Sequence, residues 1–419
     1  MHRKEVLPNG LTILTEEMPT LRSVSLGVWL KQGSRHETPE ENGISHFIEH
    51  LLFKGTERRS AAEIARTIDS IGGQCDAFTS KEYTCFYARV LDDHLPLALD
   101  LLSDIVLNPR FDPENIEKER KVIFEEIKMV EDSPDEVVYD LFSSTFWKQH
   151  PLGRPIQGTV ESVAALGPDV LMKFFRESYH PANVVIAAAG HLDQMRFAEM
   201  AAQAFQGMTS QGRHRPVTMP NPCSDLVARE KKDLEQLHLC LGVPAYRQKH
   251  EYRYIGYVMN TLLGGTMSSR LFQRIREERG LAYTVFSSIS SFADTGYLMV
   301  YAATRPGGGE EVIEQVCVEL KRLKDIAIEE TELKAAKDHL KGSLMLSLES
   351  SSSRMSNLAR QDIYFNQQFS LDDVIAGIDR VTTAEVQDLA REILVSSDCT
   401  VAALGNLSSF RLTTDRIQF

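Results

Sequence analysis

No stretch of these 419 residues approaches the roughly 18 to 20 apolar positions of a membrane span, so no spanning helix is expected. The opening stretch, MHRKEVLPNGLTIL, has neither an apolar core nor a small-residue cleavage site, so an export signal is not expected either. Cysteine is sparse and scattered. Cys75, Cys85, Cys223, Cys240, Cys317 and Cys399 form no C-x-x-C pair, which argues against a disulfide framework or a cysteine zinc site. Buried, unreactive thiols in a reducing cytoplasm fit this pattern best. Basic residues are outnumbered, 46 Lys and Arg against 59 Asp and Glu, for a formal net charge of −13. Nucleic-acid binding needs clustered positive charge and is set aside, whereas cationic peptides remain compatible.

What is present reads as an ordinary globular protein, with 42% hydrophobic and 25% charged residues. The length is too great for one compact core, so two domains are expected. Strand-like alternation in NGLTILTEE and SVSLGVWLKQG precedes helical periods at 43–54 and 60–71. A strand pattern follows in GGQCDAFTSKEYTCFYARVL, then helical patterns at 93–107 and 113–131 and the apolar run PANVVIAAAGHL. Residues 206–225 are rich in Gly, Pro, Ser and Asn without periodicity and read as a linker. Beyond it come a strand-like LEQLHLCLGVPAY, helical patterns at 251–263 and 266–279, strands in AYTVFSSISSFADTGYLMVYAAT, and helices at 309–349. The PGGG at 306–309 lacks a following Gly-Lys-Ser/Thr and reads as a strand-to-helix turn rather than a phosphate loop.

Each half closes alike. GTVESVAAL, a helical stretch and VVIAAAGHL are echoed by GIDRVTTAEV, a helix and CTVAALGNL. A repeat this long points to a duplicated α+β domain, each copy a mostly antiparallel sheet with helices packed on one face. The domains are drawn as 1–210, a linker at 211–225, and 226–419.

The chemistry-bearing stretch is GISHFIEHLLFKGT. On a helix advancing ~100° per residue, His46, Glu49 and His50 fall on one face, while Ile44, Phe47, Ile48 and Leu51 take the opposite one. Two imidazoles at i and i+4 can chelate one zinc ion, with the carboxylate beside the metal's water. H-x-x-E-H is the inverted form of the commoner metalloprotease signature. The plain alternative is a solvated helix face. A third ligand is sought in DPENIEKERKVIFEEIKMVED. There Glu119 and Glu126, seven residues apart, lie along the edge of a stripe of Ile116, Ile123, Ile127 and Val130, while Glu117 and Glu125 point to water. A partly buried carboxylate needs a cation or several donors, so a metal ligand with a supporting residue and an interhelix salt bridge both satisfy the pattern.

GISHFIEHLLFKGT resembles the zinc-site segment of the pitrilysin/insulysin family of metallopeptidases, and it is most similar to the branch of the mitochondrial processing peptidase and its bacterial relatives. The likeness covers nearly the whole chain, including HPLGRPIQGT, LGGTMSSRLFQRIREERGLAYTVFS and the terminal AALGNL. It implies one zinc per chain held by His46, His50 and Glu126, with Glu49 as general base and Glu119 as a supporting or proton-transferring residue. Arg276 and Tyr283 match an arginine and a tyrosine with which the family's second domain completes the site, the two domains closing as a clamshell. The resemblance also implies that a peptide, or an unfolded, presequence-like segment, adds as a strand along Asp76, Ala77, Phe78 and Thr79. The family usually has Asn where this chain has Asp76, and an ionised Asp accepts hydrogen bonds without donating them. A homodimer, or assembly with a related subunit, is expected by analogy. The family also contains non-catalytic members that act as partner subunits or scaffolds. Those typically lose ligands, whereas this chain keeps the full set.

Overall fold

The computed structural model of the chain describes residues 2–208, 212, 215–411 and 413–419. The first half runs β1 (His2–Val6), β2 (Thr12–Glu17), β3 (Ser23–Leu30), α1 (Ile44–Leu52), α2 (Ala61–Ser70), β4 (Gln74–Thr79), β5 (Thr84–Leu91), α3 (Leu95–Leu107) and α4 (Pro113–Glu131). It continues through α5 (Pro134–Phe146), α6 (Val160–Ala165), α7 (Pro168–Ser178), β6 (Val184–Gly190) and α8 (Gln194–Ala204). The second half comprises β7 (Leu226–Glu230), β8 (Leu237–Ala245), α9 (Arg253–Leu263), a π-helical segment Phe272–Glu278, β9 (Ala282–Ser291) and β10 (Gly296–Thr304). It ends with α10 (Gly309–Asp325), α11 (Glu330–Ser347), α12 (Ser351–Phe365), α13 (Leu371–Asp379), α14 (Thr383–Ile393) and β11 (Thr400–Gly405).

The α+β class and the two sheets match the expectation. One sheet has the order β1-β2-β6-β3-β5-β4 and the other β7-β11-β8-β10-β9. Pairing is antiparallel except for β2 with β6 and β7 with β11. In each sheet the last strand of its half returns between earlier ones, which is the structural form of the echoed sequence endings. The expected helix at 266–279 is partly a turn. Ser269 donates both its N–H (3.2 Å) and its hydroxyl (2.6 Å) to the Thr266 carbonyl, a local bond that competes with helix formation.

Two compact units divide the chain, and each is discontinuous in sequence. The first is Met1–Lys128, Arg154–Thr218 and Ser347–Gln368; the second is Met129–Gly153, Met219–Leu346 and Phe369–Phe419. Residues 211, 213 and 214 of the expected linker lie outside the described residues, and 215–225 run without helix or strand.

Most helices pack on one face of their sheet, but each sheet also carries one helix on its other face. In the first unit α12 buries Met355, Leu358 and Ala359 against Leu14, Trp29, Cys85, Val185, Ala187 and Ala189. In the second unit α5 buries Val137, Val138, Phe142 and Phe146 against Cys240, Met299, Tyr301, Ala402 and Leu404. Covering both faces explains why β6 and β11 are buried at every position. An apolar run rather than an alternating one is what a strand covered on both faces requires.

Candidate metal centre

The site is built by two helices of the first unit. The apolar face of α1 is sealed, with Ile44, Phe47, Ile48 and Leu51 all 0% exposed. Its other face carries His46, Glu49 and His50, all half-buried. α4 buries Ile116, Ile123 and Ile127 in the same core, while Glu117 and Glu125 face water as their spacing implied. Val130, expected in the stripe, is only half-buried near the helix end. Two contacts tie α4 to α1 and to the turn that follows it. The Arg120 guanidinium sits over the Phe47 ring at 5.3 Å, and Asn115 Nδ2 donates to the Lys54 carbonyl at 3.3 Å.

This packing brings His46, His50 and Glu126 together. His46 Nε2 lies 3.7 Å and His50 Nε2 3.5 Å from Glu126 Oε2, and one ligand atom from each residue falls within 4.8 Å of the others. Tetrahedral zinc with bonds of about 2.0–2.1 Å sets its ligand atoms about 3.4 Å apart, close to the two imidazole–carboxylate distances seen here. Burial, and then the neighbouring His50, push the His46 imidazole down to about 4. It is therefore neutral at pH 7, as a ligand must be. Its Nδ1 is buried and, among the described residues, has no hydrogen-bond partner.

Glu119 stands behind His50 rather than beside the three ligand atoms. Its Oε2 is 3.3 Å from His50 Nδ1 and its Oε1 is 2.9 Å from Lys54 Nζ. The salt bridge and the supporting residue, alternatives in the sequence, are thus two oxygens of one carboxylate. A carboxylate on Nδ1 fixes the tautomer that leaves Nε2 free to bind metal.

Glu49 is turned toward β4, where the Thr79 hydroxyl donates to its Oε2. Burial raises the Glu49 carboxyl to about 7; the Thr79 bond opposes this, and the charges of Asp76 and Glu126 add to it. A carboxyl near neutrality is suited to exchanging a proton. Thr79, expected on the substrate strand, thus holds the Glu49 carboxylate. β4 ends the strand order of its sheet, and Asp76 Oδ1 accepts from the adjacent Ala77 N–H at 2.8 Å. Phe78 is 39% exposed on the edge strand, and Ala77 alternates to the inner face.

Arg276 and Tyr283 belong to the second unit and pair with each other. The guanidinium lies 4.5 Å from the Tyr283 ring centroid and 4.7 Å from that of Phe272. Tyr283 stands near the start of β9 and is 74% exposed, so its ring is not packed into the sheet.

Sequence reasoning missed Lys54. It lies four residues after His50, a helical spacing that was available as a signal. Replacing it with Met leaves the Glu119 carboxylate, 7% exposed, with His50 alone. Because Lys54 is itself about one-third exposed, the expected loss of stability is only about 1–2 kcal/mol. Loosening the carboxylate behind a ligand should weaken zinc binding by about tenfold. Competition with a chromophoric chelator measures this, and unchanged affinity would remove Lys54 from the site.

Both the sequence and the fold match known proteins. Residues 12–160 match Insulinase (Peptidase family M16), and residues 165–340 match the Peptidase M16 inactive domain. A Bacillus subtilis protein named an uncharacterized zinc protease, YmxG, is 43% identical over 412 residues, spanning 98% of this chain and 100% of that one. A Streptomyces coelicolor protein, also named an uncharacterized zinc protease, SCO5738, is 41% identical over 399 residues, 94% of this chain and 87% of its own. The crystal structure of a protease from Helicobacter pylori has the same fold, with a TM-score of 0.92 at 23% identity, covering 96% of this chain and 99% of that one. All three clustered residues fall within the first match, and Arg276 and Tyr283 fall within the second.

Proposed function

Because the chain belongs to the insulinase family of peptidases, M16, we propose that it is a zinc-dependent endopeptidase acting on peptides or unfolded, presequence-like segments. The observation that carries this reading is the convergence of His46, His50 and Glu126 from two helices. These three hold one zinc per chain. Zinc, when bound, supplies Lewis-acid polarisation of the scissile carbonyl and of the attacking water.

The chain's own residues do the rest. Glu49 takes the water proton on its carboxylate and delivers it to the departing amide nitrogen, so the carboxylate is regenerated each cycle. Thr79 keeps that carboxylate aimed. Glu119 holds the His50 tautomer, a supporting role that its place on Nδ1 favours over proton transfer. The edge of β4, at Asp76 to Thr79, receives the substrate as an added strand, so main-chain bonds give affinity with little sequence preference. Arg276 and Tyr283, by the family resemblance, stabilise the developing oxyanion.

A homodimer in the cytoplasm completes the proposal: the six free cysteines favour a reducing compartment, and the dimer rests on the family analogy alone. No helix among the described residues is long and apolar enough to cross a membrane. The test uses the purified full-length chain. About one zinc per chain is expected, with cleavage of a quenched unfolded peptide that a chelator stops and zinc restores, from a species of dimer mass by light scattering. Metal-free protein as isolated, or cleavage indifferent to chelation, overturns the zinc reading; a monomer at micromolar concentration overturns the dimer.

A further inference from the structure

The segment joining β3 to α1 carries a carboxylate that the mechanism above does not use. Glu37 is 2% exposed, and its side chain faces the start of α1. Its Oε2 accepts the Gly43 N–H at 2.8 Å, its Oε1 accepts the Ser45 N–H at 2.9 Å, and the Asn42 amide approaches Oε2 at 3.3 Å. A helix leaves its first N–H groups without intrahelical acceptors, and a side chain at the N-cap usually serves them. Here the N-cap is Gly43, which has no side chain to offer. Glu37 supplies the missing acceptors from outside the helix; burial pushes its carboxyl up to about 7, and in its ionised form the charge meets the positive end of the helix dipole.

The same junction is clamped from a second side. Arg154 Nη1 donates to the Glu37 carbonyl at 3.1 Å, and Asn42 Nδ2 donates to the Pro155 carbonyl at 2.9 Å. Gly43 has φ +94°, and a Cβ there would lie 2.6 Å from the Gln157 carbonyl oxygen. The two chain segments therefore touch backbone to backbone, with no slack between them. Ser45, held by Glu37, directly precedes His46. The first turn of α1 thus has its position set by Glu37; His46 leaves that turn toward the candidate centre, and Glu49 follows three residues later on the same helix.

We propose that Glu37 is a positioning residue for the metal helix: its carboxylate fixes the first turn of α1, and through it the placement of His46 and Glu49. The proposal rests on the zinc-peptidase reading for its consequence in catalysis, though not for its effect on the helix. A carboxylate is required because two N–H donors approach two separate oxygens. Glu37→Gln keeps one acceptor and turns an N–H₂ group against the other donor. Glu37→Asp keeps both oxygens on a shorter arm.

The experiment compares the full-length protein with Glu37→Gln and Glu37→Asp. In the metal-free state, amide exchange at Gly43 and Ser45 should quicken at least about tenfold in Glu37→Gln, with α4 amides unchanged. Zinc affinity should fall by about 10- to 100-fold. At saturating zinc, kcat should fall at least about tenfold while KM stays within about twofold, and the visible spectrum of the cobalt-substituted protein should shift. Glu37→Asp should recover part of each loss, and it carries the test alone if the Gln variant does not fold. A folded variant with a lowered melting temperature but unchanged zinc affinity, kcat and cobalt spectrum makes Glu37 purely structural and overturns the proposal. If the wild-type protein binds no zinc and cleaves nothing, the zinc-peptidase reading fails separately, and the exchange result still decides what Glu37 does to α1.

Discussion

Glu49→Gln is expected to lower kcat by about a thousandfold while leaving zinc content and KM nearly unchanged. The substitution preserves shape, and the amide oxygen of Gln can still accept the Thr79 hydroxyl, so the local packing around β4 is retained. It removes only the capacity to carry a proton. Glu49 is not among the three clustered residues, so the metal site keeps its donors. A zinc assay beside steady-state kinetics separates the two effects. Loss of zinc along with activity would recast Glu49 as a ligand, and a loss below about tenfold would deny it the role of base.

The part of this site that was legible in the sequence is the part governed by helical periodicity. α1 and α4 each pack one apolar stripe on the core, so the spacing of His46, His50, Glu119 and Glu126 determined which faces they occupy. α4 spans the expected 113–131 because its charged face and apolar stripe stay in register along that whole stretch. What periodicity cannot convey is which far-off side chain meets a given face. Thr79 reaches Glu49 across 30 positions and Glu119 reaches His50 across 69, and neither distance leaves a local mark. The helices on the second face of each sheet were hidden for the same reason. The unbroken apolar run Val184–Gly190 was their trace, and it did not name α12 as the cover. β1 was missed because its residues are mostly exposed, and a polar edge strand carries little alternation.

Glu126→Gln should have the second large effect, and of a different kind. Its side chain is 37% exposed, and no backbone group depends on it in the way that Gly43 and Ser45 depend on Glu37. Its neighbours are the two imidazoles, so the metal-free fold should melt at the wild-type temperature. Only the metal-loaded state changes. Losing one of the three proposed ligands, and the sole anionic one, should weaken zinc binding by roughly a thousandfold or more and abolish chelator-sensitive cleavage. Ligand binding stabilises the folded state by RT ln(1 + [L]/Kd), about 4 kcal/mol when zinc exceeds Kd a thousandfold. For a unit of this size each kcal/mol moves Tm by roughly 2–4 °C, so wild-type protein should melt roughly 8–16 °C higher with zinc than with chelator. In Glu126→Gln the two curves should nearly coincide. His50→Ala is a less clean test, because it also strips Glu119 of its Nδ1 partner and leaves that buried carboxylate to Lys54. A Glu126→Gln protein that keeps the wild-type zinc shift would show that the third ligand lies elsewhere, and with it the metal.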